Sequence, residues 1–530
     1  MFESAASNGT RVRFLENDSE TTLGEVLGTA EAATPWFSQF DTVGAVLMPS
    51  RTTLALLVAA TRAGCRLVSI PTPPRGRGSE HYADWVDSAL VGTGVQALVV
   101  PDELSAIAGA LSGAPVRAAG EVLSYRGRRD DHGGAPGRFE LVQFTSGTTG
   151  PPKGVRIPER AIIENVGSIV EALDPSSCAT SVSWLPWSHD MGLIGTLLAS
   201  IHAGATRVRR GLIVSMSPQS FIRRPGDWLR ACSEFGAEVT AAPDFGLRQA
   251  TAAVARGASG AGGLDLSRLR ACLTGGEPVR PDTLRGFAAE LEPCGLAPGA
   301  LCPAYGMAEA TLGVTMSRPG EPWNERTVVD PLSGRDLPLV SVGRPLEGCE
   351  VRVDCDDRSR ILVRSTASFD GYAGSGCDPD RCPGDWISTA DCGVLLDDEL
   401  YVAGRLDDVV VAAGRNLNAL EMDRVVDRIA GVRAGTAVAV ADPDAPGYVM
   451  VCERADAGSD LERTASAIRR ELVRTVSVAP NRVIVTERGQ VPRTASGKPR
   501  RTLLAGAVAE GELTGSYDRS TRSRRGVLAR

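Results

Sequence analysis

Lysine is nearly missing from this chain: of 57 lysine and arginine residues, only Lys153 and Lys498 are lysine. Arginine can serve wherever a solvated surface cation is needed. It cannot replace lysine where a site needs a compact charge on a flexible stem rather than a broad planar fork. The two lysines therefore mark candidate sites. Other absences narrow the class. No run reaches the roughly 18 apolar residues of a membrane span, and the opening "MFESAASNGTRVRFLENDSE" lacks the apolar stretch of a signal peptide. A cytoplasmic protein is expected. A net charge of −7 offers nucleic acid nothing. The 12 cysteines include no CxxC pair. Cys349, Cys355, Cys377, Cys382 and Cys392 do cluster in sequence, but irregularly and without a nearby histidine. They read as small hydrophobes rather than as a zinc set.

What is present suggests more than one domain, since 530 residues exceed one ordinary core. The apolar, β-branched runs "RLVSI" and "VQALVV" read as buried strands beside Ala/Leu-rich helical segments. This alternation continues to about residue 310 and predicts parallel sheets covered by helices, an α/β fold. From about 340 to 405, short strands ("EVRVD", "RILVRS", "LYVAGR") separated by turns predict a small antiparallel, β-barrel-like subdomain. Beyond "GRLDDVVVAAGRN" the pattern is that of a compact α+β domain. The polar, basic end from 516 to 530 reads as a frayed tail.

Lys153 lies in "FTSGTTGPPKGV", residues 144 to 155, where the strand-like "ELVQF" runs into a loop dense in Ser, Thr and Gly. Backbone N–H groups and hydroxyls in such a loop can face an anion, with lysine adding a mobile positive charge. The spacing is not the GxxxxGK followed by Ser or Thr of a P-loop, which argues against a kinase or GTPase. A ligand-free hairpin is the plain alternative.

The loop resembles the phosphate-loop signature of the adenylate-forming ligases, the superfamily of acyl-CoA synthetases, peptide-synthetase adenylation domains and luciferases. Four more stretches resemble that superfamily in the same order. They are "AYGMAEAT" (304–311, adenine and metal), "STADCG" (388–393, ribose), "GRLDD" (404–408, hinge) and "PRTASGKPRR" (492–501, catalytic loop). The resemblance implies ATP and Mg²⁺ as cofactors. It also implies an N-terminal adenylation domain over 1–404, a hinge at 405–408, a mobile C-terminal α+β lid domain over 409–515 and a polar tail over 516–530. Thr145, Ser146, Gly147, Thr148, Thr149 and Gly150, with Lys153, would hold the departing phosphates. Tyr305 would stack on adenine beside Gly306, and Glu309 would ligate Mg²⁺. Asp391 would bind the ribose hydroxyls, Arg405 the ribose or phosphate, and Asp407 would mark the hinge. Lys498 would bridge the substrate carboxylate and the α-phosphate, where a slim donor fits between two approaching anions. Ala390 stands where the ribose motif usually has glycine.

"SWLPWSHDMGLIGTLLASIHAGA" (183–205), "AAPDFG" and "GGEPV" resemble the fatty-acyl-AMP ligase branch. This places His189 beside the acyl pocket as a catalytic candidate, with Trp187, Phe245 and Gly275 as pocket walls. The run between "ATLGV" and "LVSVGRP" is shorter than in that branch, so a smaller or aromatic acid fits as well as a long fatty acid. Ala419 stands where CoA-using relatives usually carry proline. The expected reaction is ATP-dependent adenylation of a carboxylic acid. Transfer to the phosphopantetheine thiol of a carrier protein would follow, with a free amine or CoA as alternative acceptors. A non-catalytic nucleotide- or acyl-binding relative is the competing class. Lys498, Glu309 and Asp391, whose loss would mark it, are all present.

Overall fold

The computed structural model describes residues 1–73, 82–111, 114–126, 138–145, 153–174, 179–206, 210–257, 263–374, 385–493, 499–513 and 517–520. Ser146 through Gly150, Lys498, Cys377 and Cys382 lie outside them.

Two large, mostly parallel sheets form the body. Six strands run in the order Val116–Ala118, Ala97–Val100, Thr42–Val46, Arg66–Ile70, Glu140–Thr145 and Lys153–Pro158. Only the last pair, a hairpin, is antiparallel. In "VQALVV", Ala97 and Val99 face one apolar cluster while Leu98 and Val100 face another. A strand buried on both faces is continuously apolar for this reason. The second sheet has nine strands, including Thr180–Ser183, Val239–Ala241, Ala271–Thr274 and Leu301–Gly306, which run parallel to one another.

Helices between the strands carry their own start and stop signals. Thr22 and Glu25 form a reciprocal capping box at the start of Leu23–Phe37. Arg51–Ala63 starts at Ser50, whose side chain accepts from Thr53 N, and stops at Gly64, where φ is +68°.

The strands Cys349–Asp354, Arg360–Ser365, Ile387–Leu396 and Glu399–Arg405 form a four-stranded antiparallel sheet, the 349–405 sheet. One apolar cluster joins Phe2 through Leu400, and a separate one joins Val410 through Val485. In the C-terminal sheet, Ala437 and Ala439 face the helices Ala419–Asp427 and Leu461–Val476. Val438 and Val440 face Arg501–Glu510 on the other side. The tail expected to fray departs from that expectation in one place. Tyr517–Ser520 pairs antiparallel with Arg482–Val485, using backbone groups that an edge strand leaves open. Among the described residues, no helix is long and apolar enough to cross a membrane.

Candidate active site

A cleft of about 610 Å³ opens where the two large sheets, the 349–405 sheet and the C-terminal segment meet. Thr145, Lys153, His189, Gly275, Tyr305, Gly306, Glu309, Asp391, Arg405 and Asp407 all line it.

The base of the phosphate-loop hairpin is pinned by Glu140, which accepts from Arg156 Nη2 at 2.8 Å and Nε at 3.0 Å. This bidentate pair fixes the register that places Thr145 opposite Lys153. The lysine ammonium lies 5.5 Å from the Tyr372 ring centroid. The Tyr372 hydroxyl donates to Glu309 Oε1 at 2.8 Å. Lys153, Tyr372 and Glu309 thus form one chain of contacts along the cleft wall.

In the same cleft, the Tyr305 hydroxyl donates to Asp391 Oδ2 at 2.7 Å, and Arg405 Nη1 reaches Asp391 Oδ1 at 3.2 Å. Burial, reinforced by the charge of Asp391, pushes the Tyr305 phenol far above its usual value, so it remains a donor. Burial pulls the Arg405 guanidinium down, but Asp391, Asp408 and Asp407 outweigh it and hold the cation firmly charged. Arg405 Nη2 also reaches Asp407 at 3.3 Å, while its Nε is buried without a partner.

Backbone approach explains two glycines here. A Cβ on Gly275 would lie 2.5 Å from Ala304 O, and one on Gly306 would lie 1.8 Å from Leu312 O. Ala390, the departure in the ribose turn, lies within the strand Ile387–Leu396 and outside the left-handed region. An alanine is therefore accommodated without backbone strain.

His189 sits at the entry to a π-helical segment, Met191–Leu198, with Nδ1 2.6 Å from Asp190 Oδ1. Trp187 does not line the cleft. It is buried in the core, edge-on to Phe14 at 6.1 Å. Phe245 is also absent from the lining, and its backbone N–H donates to Glu277 Oε1 at 2.6 Å. Both were expected as pocket walls; their neighbours Asp190, Asp244 and Arg248 line the cleft instead.

On the C-terminal side, Arg280 Nη1 meets Asp427 Oδ2 at 2.6 Å, tying the body to the helix Ala419–Asp427. Asp244 accepts from Arg280 N at 3.0 Å and from Arg248 Nε at 2.9 Å. Arg501 spans Asp408 at 3.2 Å and Asp423 at 2.6 Å. Sequence reading missed Tyr372 and Arg280. A tyrosine in a chain with only seven was a weak available signal for the first. Nothing local announces the second.

Of the cysteine-rich stretch, Cys392 Sγ lies against Gly404 O and Cys349 Sγ against Ser365, while Cys355 is exposed. No group of three or more potential metal-ligating residues gathers among the described residues.

Residues 37–373 match the AMP-binding enzyme family. A 4-hydroxyphenylalkanoate adenylyltransferase of Mycobacterium marinum is 27% identical over 499 residues, covering 84% of this chain and 78% of its own. The medium-chain-fatty-acid–[acyl-carrier-protein] ligase TtuA of Teredinibacter turnerae is 29% identical, over 79% of this chain and 70% of its own. A solved structure from a study of fatty acyl-adenylate ligases of E. coli and L. pneumophila has the same fold. Its TM-score is 0.85 at 22% identity, over 96% of this chain and 97% of that one. The chain belongs to the AMP-binding enzyme family, near its fatty-acyl-AMP ligase branch. It is an ATP-using, AMP-forming acid ligase.

Proposed function

We propose that this enzyme joins a carboxylic acid to AMP in the cleft and then passes the acyl group to the phosphopantetheine thiol of a carrier protein. The observation that carries this reading is the meeting of the Tyr305–Asp391–Arg405 set with Glu309, Tyr372 and Lys153 in one cleft. The first set matches a ribose and its neighbouring phosphate. The second matches the charge that develops on departing pyrophosphate. The acyl-carrier-protein ligase among the relatives supports the acceptor.

Attack of a carboxylate on a phosphate brings two anions together, so the site must supply positive charge and alignment. Lys153 and the phosphate loop, Thr145 to Gly150, hold the β- and γ-phosphates. Asp391 accepts from the ribose hydroxyls, and Arg405, with Nε still free, reaches the ribose or phosphate. Tyr305 lies against the base. Lys498 enters between carboxylate and α-phosphate. His189, oriented by Asp190, stands at the acyl side. Mg²⁺ fits this donor set, because it binds through one or two carboxylates plus substrate phosphates rather than an all-protein cage. Glu309 is the carboxylate in place to hold it, and the ion supplies charge neutralisation at the phosphates when bound. The segment 405–408 acts as the hinge between an adenylation body, 1–404, and a C-terminal lid, 409–515.

The test is pyrophosphate release across fatty and aromatic acids, with hydroxylamine present to trap the adenylate as a hydroxamate. Acid-dependent release and hydroxamate support the first step, and acyl transfer to a phosphopantetheinylated carrier protein supports the second. ATP turnover with no hydroxamate from any acid would refute the reading.

A further inference from the structure

Gln143 lies on the strand Glu140–Thr145, two residues before the phosphate loop, and lines the cleft. It is 2% exposed, yet neither Nε2 nor Oε1 has a hydrogen-bond partner. Its register partner on the neighbouring parallel strand is Ser69, 1% exposed, whose hydroxyl is also unpaired. Side chains in register on adjacent strands project from the same face. The alternation locates that face. Val142 belongs to the outer apolar cluster, whereas Leu141 belongs to the inner one with Val155, Val166 and Ile169. Gln143 therefore projects inward, to the face that Ile169 also packs on, and the cleft it lines includes the apolar Ile169, Met191 and Leu312. Of the residues assigned above to the nucleotide, Asp391 and Arg405 lie on the 349–405 sheet, and Thr145 and Lys153 lie on the hairpin that carries Gln143.

A buried carboxamide with both ends unmet is costly, and native proteins keep such groups where a ligand or water completes them. We infer that Gln143, backed by Ser69, is a polar subsite in the acid pocket, and that the preferred acid carries an oxygen function, hydroxyl or carbonyl, which reaches it. A carboxamide can donate to either group and accept from a hydroxyl. A plain alkyl chain would leave both groups unmet. This inference rests on the acid-adenylating reading above and adds the class of acid.

The experiment compares matched acids, octanoic with 8-hydroxyoctanoic and 3-phenylpropanoic with 3-(4-hydroxyphenyl)propanoic, on wild type, Gln143→Leu and Ser69→Ala. It reads kcat/KM for acid-dependent pyrophosphate release, KM for ATP, and thermal shift by each acid without ATP. The expected result is a wild-type preference of ~10-fold or more for the oxygenated member of at least one pair. That preference is lost in Gln143→Leu and reduced in Ser69→Ala, with KM for ATP unchanged. Free Gln143→Leu melts no lower than wild type, because no protein hydrogen bond is removed. Equal loss for both members of each pair would mean the amide only holds structural water, and a raised KM for ATP would place it on the nucleotide. Either result overturns the subsite, as does a wild-type preference for the unsubstituted acids. If no acid turns over, the adenylation reading fails, and the thermal shifts decide the subsite separately. A larger shift with oxygenated acids, absent in Gln143→Leu, supports it; equal shifts refute it.

Discussion

The two ends of the cleft are built on opposite terms. At the end assigned above to the nucleotide, most polar groups are matched to one another, with the buried Nε of Arg405 the exception. Tyr305 and Arg405 share the two oxygens of Asp391, and Tyr372 joins Glu309 beside Lys153. Where we place the acid, the lining includes the apolar Ile169 and Met191, and the carboxamide of Gln143 is left without a partner. A ligand that is the same in every turnover can be met by fixed, mutually oriented charges that need no reorganisation. A ligand that differs between relatives is selected by shape and by a few polar groups left free to receive it. On the proposed reading, the contrast separates residues that drive the reaction from residues that choose its substrate.

Four substitutions break or sharpen that contrast. Lys498→Ala should have the largest effect, a loss on the order of 1000-fold in acid-dependent pyrophosphate release, as for removal of a donor aimed at developing charge. ATP binding, measured by fluorescent nucleotide displacement, should stay within a few-fold of wild type. Asp391→Ala removes the shared acceptor of Tyr305 and Arg405 and should cost about 100-fold in kcat/KM for ATP, on the scale of hydrogen bonds to charged groups. The ratio between paired acids should be unchanged. Arg280→Met leaves Asp427 with its bonds from Gly435 N and Ala437 N but without its cation. Urea unfolding should show a loss of about 2 kcal/mol, below the usual cost of breaking a buried pair because those two bonds remain. Tyr305→Phe keeps the ring and removes one hydrogen bond. It should raise KM for ATP by about 5- to 10-fold, and a change confined to the acid KM would erase the division between the two ends.

Much of this architecture was legible in the chain because its signals are local. A strand buried on two faces must be apolar throughout, as Ala97–Val100 is. Of the two lysines that stood out by their rarity, Lys153 lines the cleft, and Lys498 lies outside the described residues. What stayed hidden depends on pairings far apart in sequence. Tyr372 reaches Glu309 across 63 residues, and Arg280 reaches Asp427 across 147. Gln143 meets Ser69 only through the register of two parallel strands. Trp187 and Phe245 show the reverse case. Both sit inside motif-like segments, but the packing of Trp187 against Phe14 turns it into the core, and the cleft is lined by their neighbours instead.

The central claim is that this cleft makes an acyl adenylate, and acid-dependent exchange of labelled pyrophosphate into ATP tests it most directly. Exchange requires the enzyme to form the adenylate and reverse the step, with no acceptor present. The account predicts exchange that appears only when a carboxylic acid is added and that falls by about 100-fold in Asp391→Ala. Exchange that proceeds without acid, or that survives undiminished in Asp391→Ala, would contradict it.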